Sequence, residues 1–103
     1  MVTNEIISKN AADILILCKQ YHVKTLYAFG SVLTDKFNSD SDVDLVVDID
    51  AKDPLDYAEM YFDLKFSLED LLKRPIDLLE NRAIRNPIMR KQIDNTKQLI
   101  YAK

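Results

Sequence analysis

Three aspartates and one Gly-Ser pair are the residues of this 103-residue chain whose types and spacing suit chemistry. Asp42 and Asp44 stand two apart at the head of the apolar segment Val43 to Ile49. On a strand that spacing projects both carboxylates from one face. Like charges held side by side repel unless a cation lies between them. Asp77 sits between Ile76 and Leu78 in another apolar segment, where a charge needs a partner. A metal ion shared with Asp42 and Asp44 supplies one. An all-oxygen donor set favours Mg²⁺ or Mn²⁺ over zinc. Two such ions about 3.5–4 Å apart can hold a nucleoside triphosphate and an attacking hydroxyl in line.

Gly30 is the only glycine of the chain, and Ser31 follows it. Glycine lets the backbone turn tightly and lets a ligand come close. Free N–H groups at a helix start favour anions, and a serine hydroxyl adds one more donor for a phosphate. Each feature also has an ordinary explanation. Gly30 can simply end a strand, Asp40, Asp42 and Asp44 can line a solvated strand entrance, and Asp77 can be an edge-strand carboxylate. A calcium loop counted from Asp40 fails, because Leu45 falls where glycine is needed and Ala51 where the closing glutamate belongs.

The elements that must position these residues follow from periodicity. Asn4 to Tyr21 predicts a first helix, with Ile7, Ala11, Ile14, Leu15 and Cys18 on its apolar face. Lys24 to Phe29 predicts a strand running into Gly30-Ser31. A short helical turn capped by Ser31 extends to about Lys36, and Asn38 to Ser41 form a polar turn. Val43 to Ile49 is a second strand, with Val43, Leu45, Val47 and Ile49 on one face and Asp42, Asp44, Val46 and Asp48 on the other. Asp53 and Pro54 open a long helix from about Leu55 to Leu72, with a possible break near Ser67. Its core stripe is Leu64, Leu68, Leu71 and Leu72, continued by Ala58 and Tyr61. Pro75 introduces a third strand, Ile76 to Leu79. The helical pattern from Ile84 to Ile93 fits a new helix with Pro87 in its first turn, and Leu99 to Tyr101 fits a last short strand.

Composition sets the outer bounds. Apolar residues make up 48% and charged residues 30%, so residues 1–103 are expected to form one globular α/β domain. Fourteen basic against 17 acidic residues give a net charge of −3, too weak a basic field for direct nucleic-acid binding. One cysteine and one histidine exclude disulfide frameworks, HExxH sites and cysteine-rich zinc sites. Cys18 reads as a small core residue and His22 as a helix-end or surface residue, while Lys73 and Arg74 read as solvated at a helix end. No apolar run approaches a membrane span and the first ten residues lack a signal-peptide layout, so a cytoplasmic protein is expected. Tyr57, Met60, Tyr61, Phe62 and Phe66 cover more of the long helix than one core stripe needs. Burial on two sides and docking of a partner or a second copy are the two readings of that excess.

Gly-Ser, ten residues, Asp-x-Asp and a distant aspartate together resemble the signature of the DNA polymerase beta-like nucleotidyltransferase superfamily. The stretch FGSVLTDKFNSDSDVDLVVDI looks like its minimal branch, small proteins encoded beside HEPN-domain toxins. LLKRPIDLLE and RNPIMRKQIDNTKQLIYAK extend the likeness over nearly the whole chain. The resemblance implies a small mixed sheet with helices packed mainly on one side. It implies that Gly30 and Ser31 contact nucleotide phosphates, and that Asp42, Asp44 and Asp77 are catalytic and ligate Mg²⁺ or Mn²⁺. Asp77 would also help the acceptor hydroxyl lose its proton. The implied reaction moves AMP from ATP to a hydroxyl, in this branch a tyrosine of the partner HEPN toxin, as an antitoxin does. A binding module that silences a toxin by contact alone and an enzyme acting on a small-molecule hydroxyl are the alternatives. Many relatives follow Gly-Ser with a small residue and an arginine. Here Val32-Leu33-Thr34-Asp35 stand there, and Lys36 and Arg82 are the cations considered in its place.

Overall fold

The computed structural model describes residues 5–30 and 42–103. The predicted first helix is two: α1 (Glu5–Lys9) and α2 (Ala11–Gln20). The apolar period runs through the junction unbroken, and a side-chain hydrogen bond interrupts it. Asn10 Nδ2 donates to the Ile6 carbonyl at 2.7 Å, the acceptor its own amide would use in a continuous helix. That amide turns to Ile7 O instead, at 3.2 Å. Asparagine competes with the helix ladder in this way. Ile7, Ile14 and Cys18 are buried as the period requires, whereas Ala11 and Leu15 are exposed. Burial pushes the Cys18 thiol up to about 12, consistent with an inert core residue. His22, exposed, takes a left-handed φ of 56° in the turn that leads out of α2.

β1 (Val23–Phe29), β2 (Val43–Ile49), β3 (Ile76–Glu80) and β4 (Gln98–Ala102) form one mixed sheet in the order β3-β2-β1-β4. β1 is antiparallel to both of its neighbours, and β2 and β3 are parallel. Parallel neighbours need a crossover, and α3 (Pro54–Leu72) provides it. The expected break at Ser67 is absent; its hydroxyl lies 3.3 Å from that of Tyr21, joining α3 to the end of α2.

Leu26 and Ala28 of β1, Val43, Leu45, Val47 and Ile49 of β2, and Ile76 and Leu78 of β3 share one buried face against α1, α2 and α3. The α3 stripe runs through Tyr57, Leu64, Leu68 and Leu72, with Tyr61 and Leu71 half-buried. Ala58, expected on that stripe, is exposed. Adjacent positions lie 100° apart on a helix, and the larger Tyr57 wins the inward place. Of the extra aromatics, Phe62 and Phe66 are 50% and 60% exposed and stack with ring centroids 6.2 Å apart.

Asp53 caps α3 through Oδ1, which accepts from the Leu55 amide at 2.8 Å. Asp53→Ala should cost about 1 kcal/mol, read as a lower urea midpoint with an unchanged slope. An unchanged midpoint would mean that the cap adds nothing. Lys73 ends α3 in the left-handed region at φ 59° and pairs with Asp70 at 3.8 Å, both side chains solvated. α4 (Pro87–Thr96) is capped by Asn86 Oδ1 and begins at Pro87, as the sequence predicts. Among the described residues no helix is long and apolar enough to cross a membrane.

Candidate active site

The pairing of β2 with both neighbours decides where the acidic residues meet. Asp44 is opposite Phe29 on the antiparallel side and opposite Asp77 on the parallel side. Alternation then puts Asp44 and Asp77 on the same face, away from the main core, with Cα atoms about 5 Å apart across adjacent strands. Asp42 stands two residues upstream, just outside the strand. Asp42 and Asp77 are exposed and Asp44 is half-buried. The Val43 amide donates to the Pro75 carbonyl at 3.1 Å, tying the start of β2 to the entry of β3. All three aspartates therefore gather at one end of the sheet, although 33 residues separate Asp44 from Asp77.

Gly30 closes the same end from β1. Its φ is +75°, a conformation that L side chains rarely adopt. A Cβ built there would overlap Asp44 Oδ2 and lie 3.2 Å from Asp44 Cγ. The glycine is thus required twice, by its own backbone and by the carboxylate pressed against it. Ser31, expected beside it, and Lys36, considered as a phosphate cation, lie outside the described residues, as do the predicted turns between Ser31 and Ser41.

Donor type and placement suit a hard divalent cation: three carboxylates, two of them in one row and the third a strand-step away. Among the described residues no three such side chains converge as a ready-made cage. An ion held there would be ligated by Asp42, Asp44 and Asp77.

Arg82 does not belong to this site. Its guanidinium donates to Asp48 Oδ1 and to the Ile49 carbonyl, both at 2.9 Å, and lies 4.4 Å from the Tyr57 ring centroid. Those partners are at the far end of β2, about 13 Å along the strand from Asp44. Arg82 is a clamp on the sheet, and the role considered for it as a phosphate cation is set aside. Arg74 is half-buried just before β3.

A cleft that single-chain periodicity could not reveal borders Gly30. It has a volume of about 540 Å³ and is lined by Phe29, Gly30, Met89, Gln92, Ile93, Asn95 and Thr96. Lys97, directly after α4, sets its ammonium 4.3 Å from the Tyr27 ring centroid. The end of α4 is thereby held against the face of β1 that carries Tyr27 and Phe29. Nothing in the sequence links Phe29 to residues about 60 positions later. Only the return of β4 alongside β1 brings them together.

Comparison with known proteins agrees with this geometry. The family described as Polymerase beta, Nucleotidyltransferase matches residues 12–103. A Methanocaldococcus jannaschii protein with the provisional name protein adenylyltransferase is 34% identical over 86 residues, 84% of this chain and 83% of its own. A solved structure described provisionally as a minimal nucleotidyltransferase superposes with a TM-score of 0.71 at 29% identity, covering 91% of this chain and 92% of that one. The fold is also shared with a structure of the tri-AMPylated Shewanella oneidensis HEPN toxin in complex with MNT antitoxin. There the TM-score is 0.62 at 20% identity, over 93% of this chain and 72% of that one.

Proposed function

The chain belongs to the polymerase beta nucleotidyltransferase family, and from that premise we propose that it transfers AMP from ATP to a tyrosine hydroxyl of a HEPN-domain partner, as the antitoxin of a toxin–antitoxin pair. The observation that carries this reading is the in-register Asp44–Asp77 row set against Gly30 at positive φ. The provisional name of the M. jannaschii relative and the AMPylated toxin in the S. oneidensis complex support AMP as the transferred group and a HEPN protein as acceptor.

In this reading the acceptor oxygen attacks the α-phosphorus of ATP, the bond to the β-phosphate breaks, and pyrophosphate leaves. Mg²⁺ or Mn²⁺, held by Asp42, Asp44 and Asp77, supplies neutralisation of the charge that develops on the phosphates. Gly30 lets the chain approach the triphosphate without a side chain in the way, and Ser31 adds a hydroxyl donor. Asp77, on the exposed flank of the row, takes the proton from the acceptor hydroxyl. A cytoplasmic location is consistent with a lone cysteine that needs no disulfide partner.

The test is incubation with ATP labelled at the α-phosphate, Mg²⁺ and a HEPN-domain partner, followed by mapping of the labelled residue. Label on a partner tyrosine with release of pyrophosphate is expected. Transfer of the γ-phosphate would assign a different reaction. A bound but unlabelled partner under Mg²⁺ and Mn²⁺ would leave a module acting by contact. Label only on small hydroxyl compounds would assign the small-molecule reaction.

A further inference from the structure

We propose that the cleft between Phe29–Gly30 and α4 is the base subsite of the nucleotide, and that the side-chain amides of Gln92 and Asn95 select adenine there. The inference rests on the transferase reading and adds to it the place of the base and the residues that choose it. Gly30 belongs both to the cleft lining and to the contact with Asp44. The cleft therefore adjoins the place proposed for the triphosphate, within reach of its nucleoside end. The volume of about 540 Å³ falls within the roughly 300–1,000 Å³ of small-molecule sites.

The lining has the composition that a flat heteroaromatic ring requires. Phe29, Met89 and Ile93 supply apolar walls, Ile93 being buried at 3% exposure. The Thr96 hydroxyl is spent on the Gln92 carbonyl at 2.7 Å. That leaves Gln92 and Asn95 as the side-chain amides of the lining, and among the described residues neither has a hydrogen-bond partner within the chain. A carboxamide offers a donor and an acceptor side by side, matching the acceptor N7 and donor N6 of adenine. Guanine is paired instead by arginine or lysine, and among the described residues no cation lines this cleft.

The experiment measures binding of ATP, GTP, CTP, UTP and inorganic tripolyphosphate by calorimetry in Mg²⁺ and in Mn²⁺. It compares the natural protein with Gln92→Ala/Asn95→Ala and with Met89→Trp, which fills the cleft. All three positions are exposed on α4, and thermal unfolding verifies that the variants fold. The natural protein should prefer ATP by about tenfold or more, and the double variant should bring the four nucleotides within about twofold of one another. Met89→Trp should weaken ATP by about tenfold while tripolyphosphate is held as before. ATP preference or affinity unchanged in both variants would overturn the base subsite and leave the transferase reading standing. Equal affinity of the natural protein for all four nucleotides would overturn the adenine assignment. Failure of the natural protein to bind either ATP or tripolyphosphate would overturn the transferase reading itself, and the subsite with it.

Discussion

Asp44→Asn is expected to slow nucleotidyl transfer by about a thousandfold or more, while the metal-free protein still folds. Asp44 lies in the central row of the site, between Phe29 and Asp77 on adjacent strands. The asparagine has the same shape, so the strand register survives. With a nucleotide bound, the same change removes a ligand from the ion that steadies the triphosphate. Losing even one preorganised electrostatic contact commonly costs 10²–10³-fold in rate. Asp42→Ala should behave alike. The decisive comparison is thermal unfolding with and without Mg²⁺ beside the label-transfer rate. The natural protein should gain stability with Mg²⁺ by mass action and the variant should not. Full transfer activity in Asp44→Asn would remove the site as drawn.

Gly30→Ala should also slow transfer strongly, by a different route and with a measurable cost in stability. A φ of +75° costs an L-residue about 1–2 kcal/mol. The new methyl group would overlap Asp44 Oδ2. Since the obstructing group is the end of a side chain, the cheapest relief is for the carboxylate to swing away. The fold then loses only the backbone term, whereas the site loses the position of its central ligand. A urea midpoint lowered by the equivalent of about 1–2 kcal/mol, with transfer down by about a hundredfold or more, is the expected pair of results. A variant that is destabilised but fully active would show that Asp44 does not need the place it holds beside Gly30.

Much of this architecture was legible in the chain because it depends on local periodicity and turn chemistry. The alternation from Val43 to Ile49, the Asp53-Pro54 start and Pro87 in a first helical turn each became the expected element. The misses have separate causes. Asn10 interrupts a helix whose apolar period continues through it, because a single amide hydrogen bond competes with the ladder. Tyr57 and Ala58 lie about 100° apart on a helical wheel at the two edges of the apolar stripe, and packing against the sheet decides between them. Arg82 is one cation among fourteen basic residues until the sheet places it over Tyr57 and beside Asp48.

By itself the sequence determined the residue types, their spacing within each strand and the elements that carry them, since these follow from dihedral preferences and side-chain periodicity over a few residues. Asp42 and Asp44 at the head of a strand, and a lone glycine after the preceding strand, are facts of this kind. Tertiary structure alone decided that β3 lies parallel beside β2 with Asp77 level with Asp44, that Gly30 abuts that same carboxylate, and that α4 faces Phe29 across a cleft. These depend on which strands pair and in what register. That choice is made by burying one apolar face common to four strands, a property of the whole chain that no short window contains.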